Sequence, residues 1–346
     1  MRRLKKEKAV LAGLILLFIL VFFLSACLGR YFISPDMIVK ILASRVLPLN
    51  NAWPPEAETV LFNVRLPRVI LGAFVGAGLA CAGSAYQSVF HNPMASPDIL
   101  GASHGAGFGA ALAISMGFGH AAVIGLAFAF GLGSICIVFI VCRHLQSDAA
   151  LSLVLTGIMV SSLFGAATSF LKLTADPNDT LPTITYWLMG SLVSANSHSL
   201  PFVLPVIFIG AMPILLLRWR LNLLTVGDDE ARAMGVNTGA LRGIIIFCAT
   251  LITAACVSVS GMIGWVGLVI PHFSRMLAGS DCRYSMPASL LLGGGFMLAV
   301  DILARTLATG EIPIGILSAF AGAPFFIYLI IREGKKDASF GKQTEF

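Results

Sequence analysis

The feature that most constrains this chain is a series of long uncharged apolar runs separated by short polar connections. About 20 apolar residues in a helix cross a bilayer core, and several of the runs reach that length. Inside lipid every backbone amide must be bonded within its own segment, so such runs fold as helices. The pattern therefore predicts one all-α integral membrane domain, residues 1–346, with about ten transmembrane helices, near 9–29, 66–90, 99–116, 120–142, 150–171, 199–217, 243–261, 263–280, 285–304 and 312–331.

The composition agrees with this class and excludes others. Charged residues make up 12% of the chain and hydrophobic residues 57%, whereas a typical soluble domain is about 25% charged. The net charge of +6 has no soluble basic face to carry it, so no nucleic-acid partner is expected. The seven cysteines lie mostly inside apolar runs without metal-type spacing. We therefore expect no disulfide framework, no metal site and no cofactor.

The distribution of basic residues predicts the orientation of the chain. Five of the first eight residues are basic, and Arg332, Lys335 and Lys336 follow the last apolar run. Basic residues favour the cytoplasmic side, and an even number of crossings then places both termini there. The first run ends in the sequence LSAC at 24–27, which is similar to a lipoprotein cleavage box. Because many spans follow, a retained first helix is favoured over a lipid anchor.

Two of the predicted spans are short. The uncharged stretch 243–274 barely holds two full crossings, and Gly261, Gly264 and Gly267 would permit a tight reversal or a broken helix within it. Small residues also recur every four positions along 72–84. That spacing is typical of helices that pack backbone to backbone.

The polar segment 218–242, between the sixth and seventh spans, departs from the pattern. It contains Gly227, three consecutive acids at 228–230, and Gly235. Acids suit the positive end of a helix dipole, and glycine suits the left-handed position after a last helical turn. The segment therefore predicts a short helix at the membrane surface, which indicates a docking site.

Three arginines run against the charge bias. Under this topology Arg65, Arg68 and Arg305 lie at the outer ends of their spans. Snorkelling or pairing with an acid such as Asp301 would account for them. A basic patch that orients an acidic partner arriving from outside would account for them equally well.

The remaining ionisable residues do not form a reaction centre. Lys172, His272 and Asp301 are candidates for a pathway role because intramembrane charges are costly, but each also has a structural explanation. No nucleophile elbow, paired carboxylates or His/Cys metal cluster occurs, so no catalytic residue is assigned. The sequence also lacks a G-x-x-x-x-G-K-[ST] phosphate loop. Active transport would then need a separate ATPase chain or an ion gradient.

The motifs taken together resemble the permease subunits of bacterial ABC importers for iron siderophores, haem and cobalamin. The likeness covers roughly 62–332 in the family's order, whereas the segment 30–60 shows little that matches. Its pieces are RLPR at 65–68, YQSVFHNPMASPDILGASHGAG at 86–107, YWLMGSL at 186–192, LNLLTVGDDEARAMGV at 221–236, SGMIGWVGLVIPHFSR at 260–275, AVDILAR at 299–305 and EIPIGILSAFAGAPFF at 311–326.

The resemblance implies ten helices per subunit, a homodimer or a pair of similar permeases, and a translocation path at their interface. It implies that Arg65, Arg68 and Arg305 dock glutamates of a periplasmic or lipid-anchored substrate-binding protein. The loop with Asn92 and Pro93, and Pro97 beyond it, would lie near the path. Coupling helices within 221–238 would bind the cytoplasmic ATPase subunit through Gly227, Asp228, Asp229, Glu230, Ala231, Met234, Gly235 and Val236.

The expected function is therefore a non-catalytic, multi-pass permease in a bacterial cytoplasmic (inner) membrane. It would translocate a metal chelate in an ATP-driven importer, with a ferric siderophore as the favoured substrate. Haem, cobalamin and oxyanions remain open within the same family. From other classes, an ion-coupled secondary transporter would need buried carboxylates facing a cavity, and an intramembrane enzyme would need a catalytic constellation.

Overall fold

The computed structural model describes residues 2–45, 53–144, 149–193, 199–225 and 227–341, and this part of the chain is mostly helical, without a strand. The helices are α1 (Arg2–Cys27), α2 (Pro35–Ala43), α3 (Pro55–Thr59), α4 (Leu66–Val89), α5 (Ala102–Ser115), α6 (His120–Cys142), α7 (Ala149–Thr174), α8 (Thr180–Leu188), α9 (Leu200–Leu224), α10 (Asp228–Ala233), α11 (Thr238–Ser260), α12 (Val266–Ala278), α13 (Cys282–Thr306) and α14 (Ile314–Gly341). A π-helical turn, Val60–Arg65, joins α3 to α4, and a 3-10 turn, Pro97–Leu100, precedes α5.

The helices confirm the all-helical membrane class. By length and composition, seven helical segments in the described part of the chain can cross a membrane, while Val266–Ala278 and Ile314–Tyr328 are shorter apolar helices. A helix, α5, also covers the third predicted span. The count of ten crossings and the cytoplasmic position of both termini stay predictions. The seven long segments are Lys6–Cys27, Pro55–Val89, His120–Cys142, Leu151–Thr174, Leu200–Leu224, Thr238–Ser260 and Cys282–Thr306.

The centre of the bundle is α4, which packs against α9, α11, α12 and α13. Small residues make this contact close. A Cβ atom added to Gly76 would lie 2.3 Å from the carbonyl oxygen of Gly293, and one added to Gly293 would lie 2.4 Å from that of Gly76. Because the two backbones meet this closely, the first turn of α4 lies beside the last turns of α13. The charged residues of these turns are therefore neighbours.

A tight reversal separates α11 from α12, as the glycines predict. Gly261 has φ of +68° and Trp265 has φ of +70°, both in the left-handed region. A Cβ atom on Gly261 would lie only 2.2 Å from the carbonyl oxygen of Trp187 at the end of α8. The amide of Ser191 also donates to the carbonyl of Ser260 at 2.7 Å. The reversal is therefore held against the segment that follows α8.

Two features differ from the sequence expectations. The short helices α2, α3 and α8 are not predicted, because none is long enough to give an apolar span. The sixth span, predicted to end at residue 217, continues as α9 to Leu224, so the predicted coupling segment 221–238 begins inside that helix. Arg218 and Arg220 do not end α9, because arginine is a good helix former.

Candidate docking sites at the two ends of the bundle

The three predicted docking arginines converge at one end of the bundle, called the outer end after the predicted topology. Arg65 closes the π-helical turn, Arg68 lies in the first turn of α4, and Arg305 lies in the last turn of α13. They meet because α4 and α13 pack closely along their length. All three side chains are buried, with relative exposures of 4%, 6% and 7%.

Asp301 lies at the centre of this cluster and is fully buried. Arg68 Nε donates to Asp301 Oδ1 at 2.9 Å. Arg305 Nε lies 3.0 Å from Asp301 Oδ2 but directs its N–H to the Asp301 carbonyl oxygen at 3.2 Å. The Oδ2 contact is therefore an ion pair rather than a hydrogen bond. One carboxylate thus balances two buried cations, and the pairing that sequence spacing allowed for Asp301 and Arg305 is present.

Glu311 is a second acid of the cluster, and the sequence analysis missed it. Arg68 Nη1 donates to Glu311 Oε1 at 3.0 Å and Nη2 to Oε2 at 2.7 Å. This is the bidentate geometry in which a guanidinium holds a carboxylate most strongly. The Glu311 side chain is 25% exposed, so this pair is at the rim of the cluster. In the sequence, Glu311 is marked only as the first residue of the motif EIPIGILSAFAGAPFF, two residues before Pro313.

Arg65 and Arg305 also hold the C-terminal end of α1. Arg65 Nη1 lies 2.7 Å from the carbonyl oxygen of Ala26 and 2.5 Å from that of Cys27. Arg305 Nη2 donates to Ser25 Oγ at 2.9 Å. The last carbonyls of a helix lack partners within it, and cations suit that end of the helix dipole. The two arginines therefore join α1 to the α4–α13 pair.

The coupling candidates lie at the opposite end, called the inner end. α10 is six residues long, and Gly227 before it has φ of +140° while Gly235 after it has φ of +81°. Both values lie in the region that favours glycine. The two glycines thus set the limits of the helix that the sequence pattern predicts. Val226 and the Asp228 side chain lie outside the described residues.

Among the described side chains of α10, only Ala231 is buried, and Arg232 Nε donates to Thr238 Oγ1 at 3.3 Å at the start of α11. Ala231 is fully buried. The Asp229 side chain is 95% exposed, and Glu230 and Met234 are exposed as well. Arg232 lies 3.7 Å from Asp229, but both side chains are largely exposed, so the pair contributes little. α10 thus displays Asp229 and Glu230, and Met234 is exposed directly after it. Val236, which follows, is partly buried against the core.

Of the three residues predicted to lie near the path, two are exposed and one is buried. Asn92 and Pro93 are exposed in the turn after α4, at the same end as α10. Next to them, His91 Nε2 contacts the carbonyl oxygen of Leu224 at the end of α9. Pro97 is buried instead, against α12, where a Cβ atom on Gly267 would lie 2.5 Å from its Cγ. The three residues therefore differ in exposure, and their position near the path stays a prediction.

An apolar cavity of about 630 Å³ that opens widely onto the surface of the bundle lies between the end of α8, the reversal before α12, and α14. Its walls include the thioethers of Met189 and Met262 and the rings of Trp265 and Phe320. The described residues that line it carry no charged side chain. The cavity can therefore accept an apolar surface but offers few groups to a bare ion.

Comparisons with known proteins cover nearly the whole chain. A family model, the FecCD transport family, matches residues 16–332. The chain is 40% identical over 323 residues to the molybdate import system permease protein MolB of Haemophilus influenzae, covering 93% of this chain and 95% of that protein. It is 40% identical over 286 residues to the cobalamin import system permease protein BtuC of Halobacterium salinarum, covering 82% and 76%. A solved inward-facing structure, described as a metal-chelate type ABC transporter, matches with a TM-score of 0.85 at 38% identity, covering 94% and 99%.

Proposed function

Because the chain belongs to the FecCD transport family and is the permease subunit of an ABC importer, we propose that its cargo is a metal chelate. A ferric siderophore is the first candidate within that class. The permease would work in a bacterial cytoplasmic (inner) membrane, paired with a second permease copy or a similar subunit. A substrate-binding protein would deliver the chelate from outside, and an ATPase subunit would drive transport from inside.

The apolar cavity is the observation that carries the choice of cargo. A chelate encloses its metal in organic groups and presents a partly apolar surface, which thioether and aromatic walls can contact. An oxyanion would have to leave water for walls that offer almost no donors, which is costly. The charge-free lining of this cavity therefore favours a chelate. Molybdate stays the second candidate, because a relative 40% identical to this chain is named for its import.

A competitive uptake assay tests this choice. The permease would be reconstituted with its ATPase and binding protein, and ATP-dependent uptake of a radiolabelled ferric siderophore, haem, cobalamin and molybdate would be measured. We expect uptake of the ferric chelate and no competition by molybdate. Uptake of molybdate without uptake of any chelate would overturn the proposal. Trp265→Ala, a change in the cavity wall, should raise KM for the chelate, with Trp219→Ala outside the cavity as the matched control.

We propose that α10 docks the ATPase subunit. Two observations support this. The helix is limited by a glycine at each end and is seated through Ala231, and its acids Asp229 and Glu230 are exposed. A helix that is held through few contacts and exposed elsewhere can seat in a cleft of a partner without rearranging the bundle. The chain has no phosphate loop of its own, so hydrolysis has to be supplied through such a contact.

Charge reversal tests the α10 proposal. The double variant Asp229→Lys, Glu230→Lys should reach the membrane in normal amounts but retain less ATPase subunit on purification and lose stimulated ATP hydrolysis. Glu56→Lys, which reverses an exposed acid in α3, is the control and should retain the ATPase subunit normally. Normal retention in the double variant would contradict the proposal.

We further propose that the outer end docks the substrate-binding protein at Arg65, Arg68 and Arg305. These side chains are buried, so a partner carboxylate would have to take the place of Glu311 on Arg68. This requirement makes Glu311→Gln a sharper test than charge reversal of an arginine, which would also disturb the fold. Removing the competing carboxylate should tighten docking, and the gain should shrink in high salt.

The control for that experiment is Glu56→Gln, which removes an exposed acid of α3. It should leave the affinity for the binding protein close to that of the natural chain. If Glu311→Gln leaves the affinity unchanged as well, Arg68 is structural and the docking role is wrong. The same geometry argues against an ion-coupled secondary transporter, since Asp301 is already held by two arginines and offers no free carboxylate to a coupling ion.

A further inference from the structure

One face of α9 is exposed and apolar along most of the helix, and at the inner end it finishes in an aromatic and a basic residue. Its side chains recur every three or four positions, so they lie on the same side of the helix. They are Pro205, Ile209, Met212, Leu216, Trp219 and Arg220. In a membrane-spanning helix such a face contacts acyl chains, and tryptophan and arginine at its end are typical of the level of the lipid headgroups.

A second cation, Arg283, comes from the start of α13. Its guanidinium carbon lies 4.2 Å from the centre of the Trp219 ring, which is a cation–π contact. Hydrogen bonds between the two helices hold this arrangement. Asn222 Nδ2 donates to Asp281 Oδ1 at 2.7 Å, and the Cys282 amide donates to Asn222 Oδ1 at 2.8 Å. The start of α13 is thus fixed against the last turns of α9.

Neither arginine is neutralised within the described part of the chain. No described carboxylate lies within 4 Å of the guanidinium nitrogens of Arg220 or Arg283. The acid nearest to Arg283 in sequence, Asp281, caps α13 by accepting from the Arg283 amide at 2.9 Å. Arg283 also lies in the first turn of α13, where the positive end of the helix dipole disfavours a cation. Two arginines are therefore available to an anion, and one of them occupies a position that its own helix does not favour.

We propose that Trp219, Arg220 and Arg283, called the α9–α13 corner, bind an anionic phospholipid of the adjoining leaflet. The two arginines hold its phosphate, because a guanidinium can offer two parallel N–H donors to phosphate oxygens. One acyl chain follows the exposed face of α9. Trp219 is 51% exposed although Arg283 stacks on it, so part of its surface is left for the glycerol and the upper chain. A free anion would use the arginines alone, so the apolar face that leads to them favours a lipid.

The α9–α13 corner is separate from the place proposed for the cargo. The described residues that line the apolar cavity beside α14 do not include Trp219, Arg220 or Arg283. A change such as Trp219→Ala should therefore alter lipid affinity and leave KM for the cargo unchanged. The lipid joins α9 to α13 near the end of α9 that leads to α10. A ligand that binds only the folded state stabilises it once its concentration exceeds Kd, so binding should raise the unfolding temperature.

The test uses the full-length permease without its partners, purified in an uncharged detergent and freed of copurified lipid. Thermal unfolding is followed while phosphatidylglycerol, phosphatidylcholine with the same acyl chains, or inorganic phosphate is added at constant ionic strength. We expect a saturable rise in the unfolding temperature with phosphatidylglycerol alone. An equal rise with phosphatidylcholine would show that the acyl chains alone bind, and an equal rise with inorganic phosphate would show a site for a free anion. Either result overturns the proposal.

Two variants and a control decide whether the α9–α13 corner is responsible. The double change Arg220→Gln, Arg283→Gln should weaken the apparent affinity for phosphatidylglycerol about tenfold or more, which corresponds to ~1.4 kcal/mol. Arg220→Gln alone should weaken it less, and keeps the test valid if the double variant fails to fold, since Arg220 is exposed. Arg143→Gln removes another exposed arginine at the inner end, directly after α6, and should bind like the natural chain.

The proposal is overturned if no lipid shifts the unfolding temperature, or if phosphatidylglycerol shifts it equally in the natural chain and all three variants. In the second case, the ATPase subunit retained on purification would be compared between the double variant and Arg143→Gln. A loss confined to the double variant would assign the two arginines to a protein contact instead of a lipid.

Discussion

The two charged ends of this molecule are built in opposite ways. At the outer end, Arg68 and Arg305 surround Asp301, whose side chain is fully buried. At the inner end, α10 presents Asp229 with a side chain that is 95% exposed, and α10 is attached mainly through Ala231. Charges that are paired within the bundle depend on one another, because loss of one leaves the other buried without a counter-charge. Charges that face solvent remain available to bind a partner.

This difference predicts how each end responds to mutation. Breaking a buried ion pair leaves an uncompensated charge in a poorly solvated place and strongly destabilises the protein. Changing an exposed charge alters stability little, because water and salt screen it. Mutations in the outer cluster should therefore mainly lower stability, whereas mutations in α10 should mainly weaken partner binding. The predictions below test that separation, beginning with the largest expected effect on stability.

Asp301→Ala should have the largest effect, because it leaves Arg68 and Arg305 buried without their shared carboxylate. We expect a loss of about 3–5 kcal/mol in the free energy of unfolding. Thermal or denaturant unfolding of the purified permease in detergent measures it. Leu303→Ala on the same helix changes an exposed side chain and should stay within ~0.5 kcal/mol. Equal stability of the two variants would show that the cluster does not support the fold.

Arg65→Ala should have an intermediate effect that is concentrated on α1. The change removes the guanidinium from the carbonyl oxygens of Ala26 and Cys27, and Cys27 keeps only the Ile33 amide at 3.3 Å. Hydrogen bonds from charged groups contribute about 1.5–3 kcal/mol, so we expect a loss of that size. Hydrogen exchange should increase at the C-terminal end of α1 before it increases in α4. Arg65→Lys should recover only part of the protection, because one ammonium cannot replace the fork.

Gly227→Ala should disturb α10 without unfolding the bundle. The φ of +140° at Gly227 disfavours any residue with a Cβ, and such strain costs about 1–3 kcal/mol. The Cβ would also lie 2.3 Å from Glu230 Oε2, but that flexible side chain can move. Limited proteolysis around α10 should accelerate while the global unfolding temperature changes little. Gly239→Ala in α11 is the control, since its Cβ meets only Asn237 Oδ1 at 3.7 Å.

The sequence predicted those parts of the fold that depend on local pattern. Long apolar runs predicted helices such as α6 and α13, and the glycines at 227 and 235 predicted the limits of α10. The i,i+4 spacing of Asp301 and Arg305 predicted their ion pair. Each of these signals lies within a few turns of a single helix, so the side-chain period is enough to find it.

The rest of the outer cluster depends on contacts between distant segments. Arg68 pairs with Asp301 across 233 positions and with Glu311 across 243, and nothing local marks either pair. The burial of the arginines follows from the close approach of α4 and α13, which only the packed helices reveal. The short helices α2, α3 and α8 escaped prediction because they are too short to give a clear periodic signal.

Asp229→Asn should have the smallest effect on stability and still weaken ATPase docking. The side chain is 95% exposed, and its pair with Arg232 at 3.7 Å is worth at most ~0.5 kcal/mol. Arg232→Gln removes the same pair from the other side, together with the hydrogen bond from Arg232 Nε to Thr238 Oγ1 at 3.3 Å, and is the control. If the acid contacts the partner directly, only Asp229→Asn lowers the affinity for the ATPase subunit, and it also reduces the salt dependence of docking. If instead the pair matters by stiffening α10, the two variants weaken docking equally, and the inner end owes its function to helix stability rather than to exposed charge.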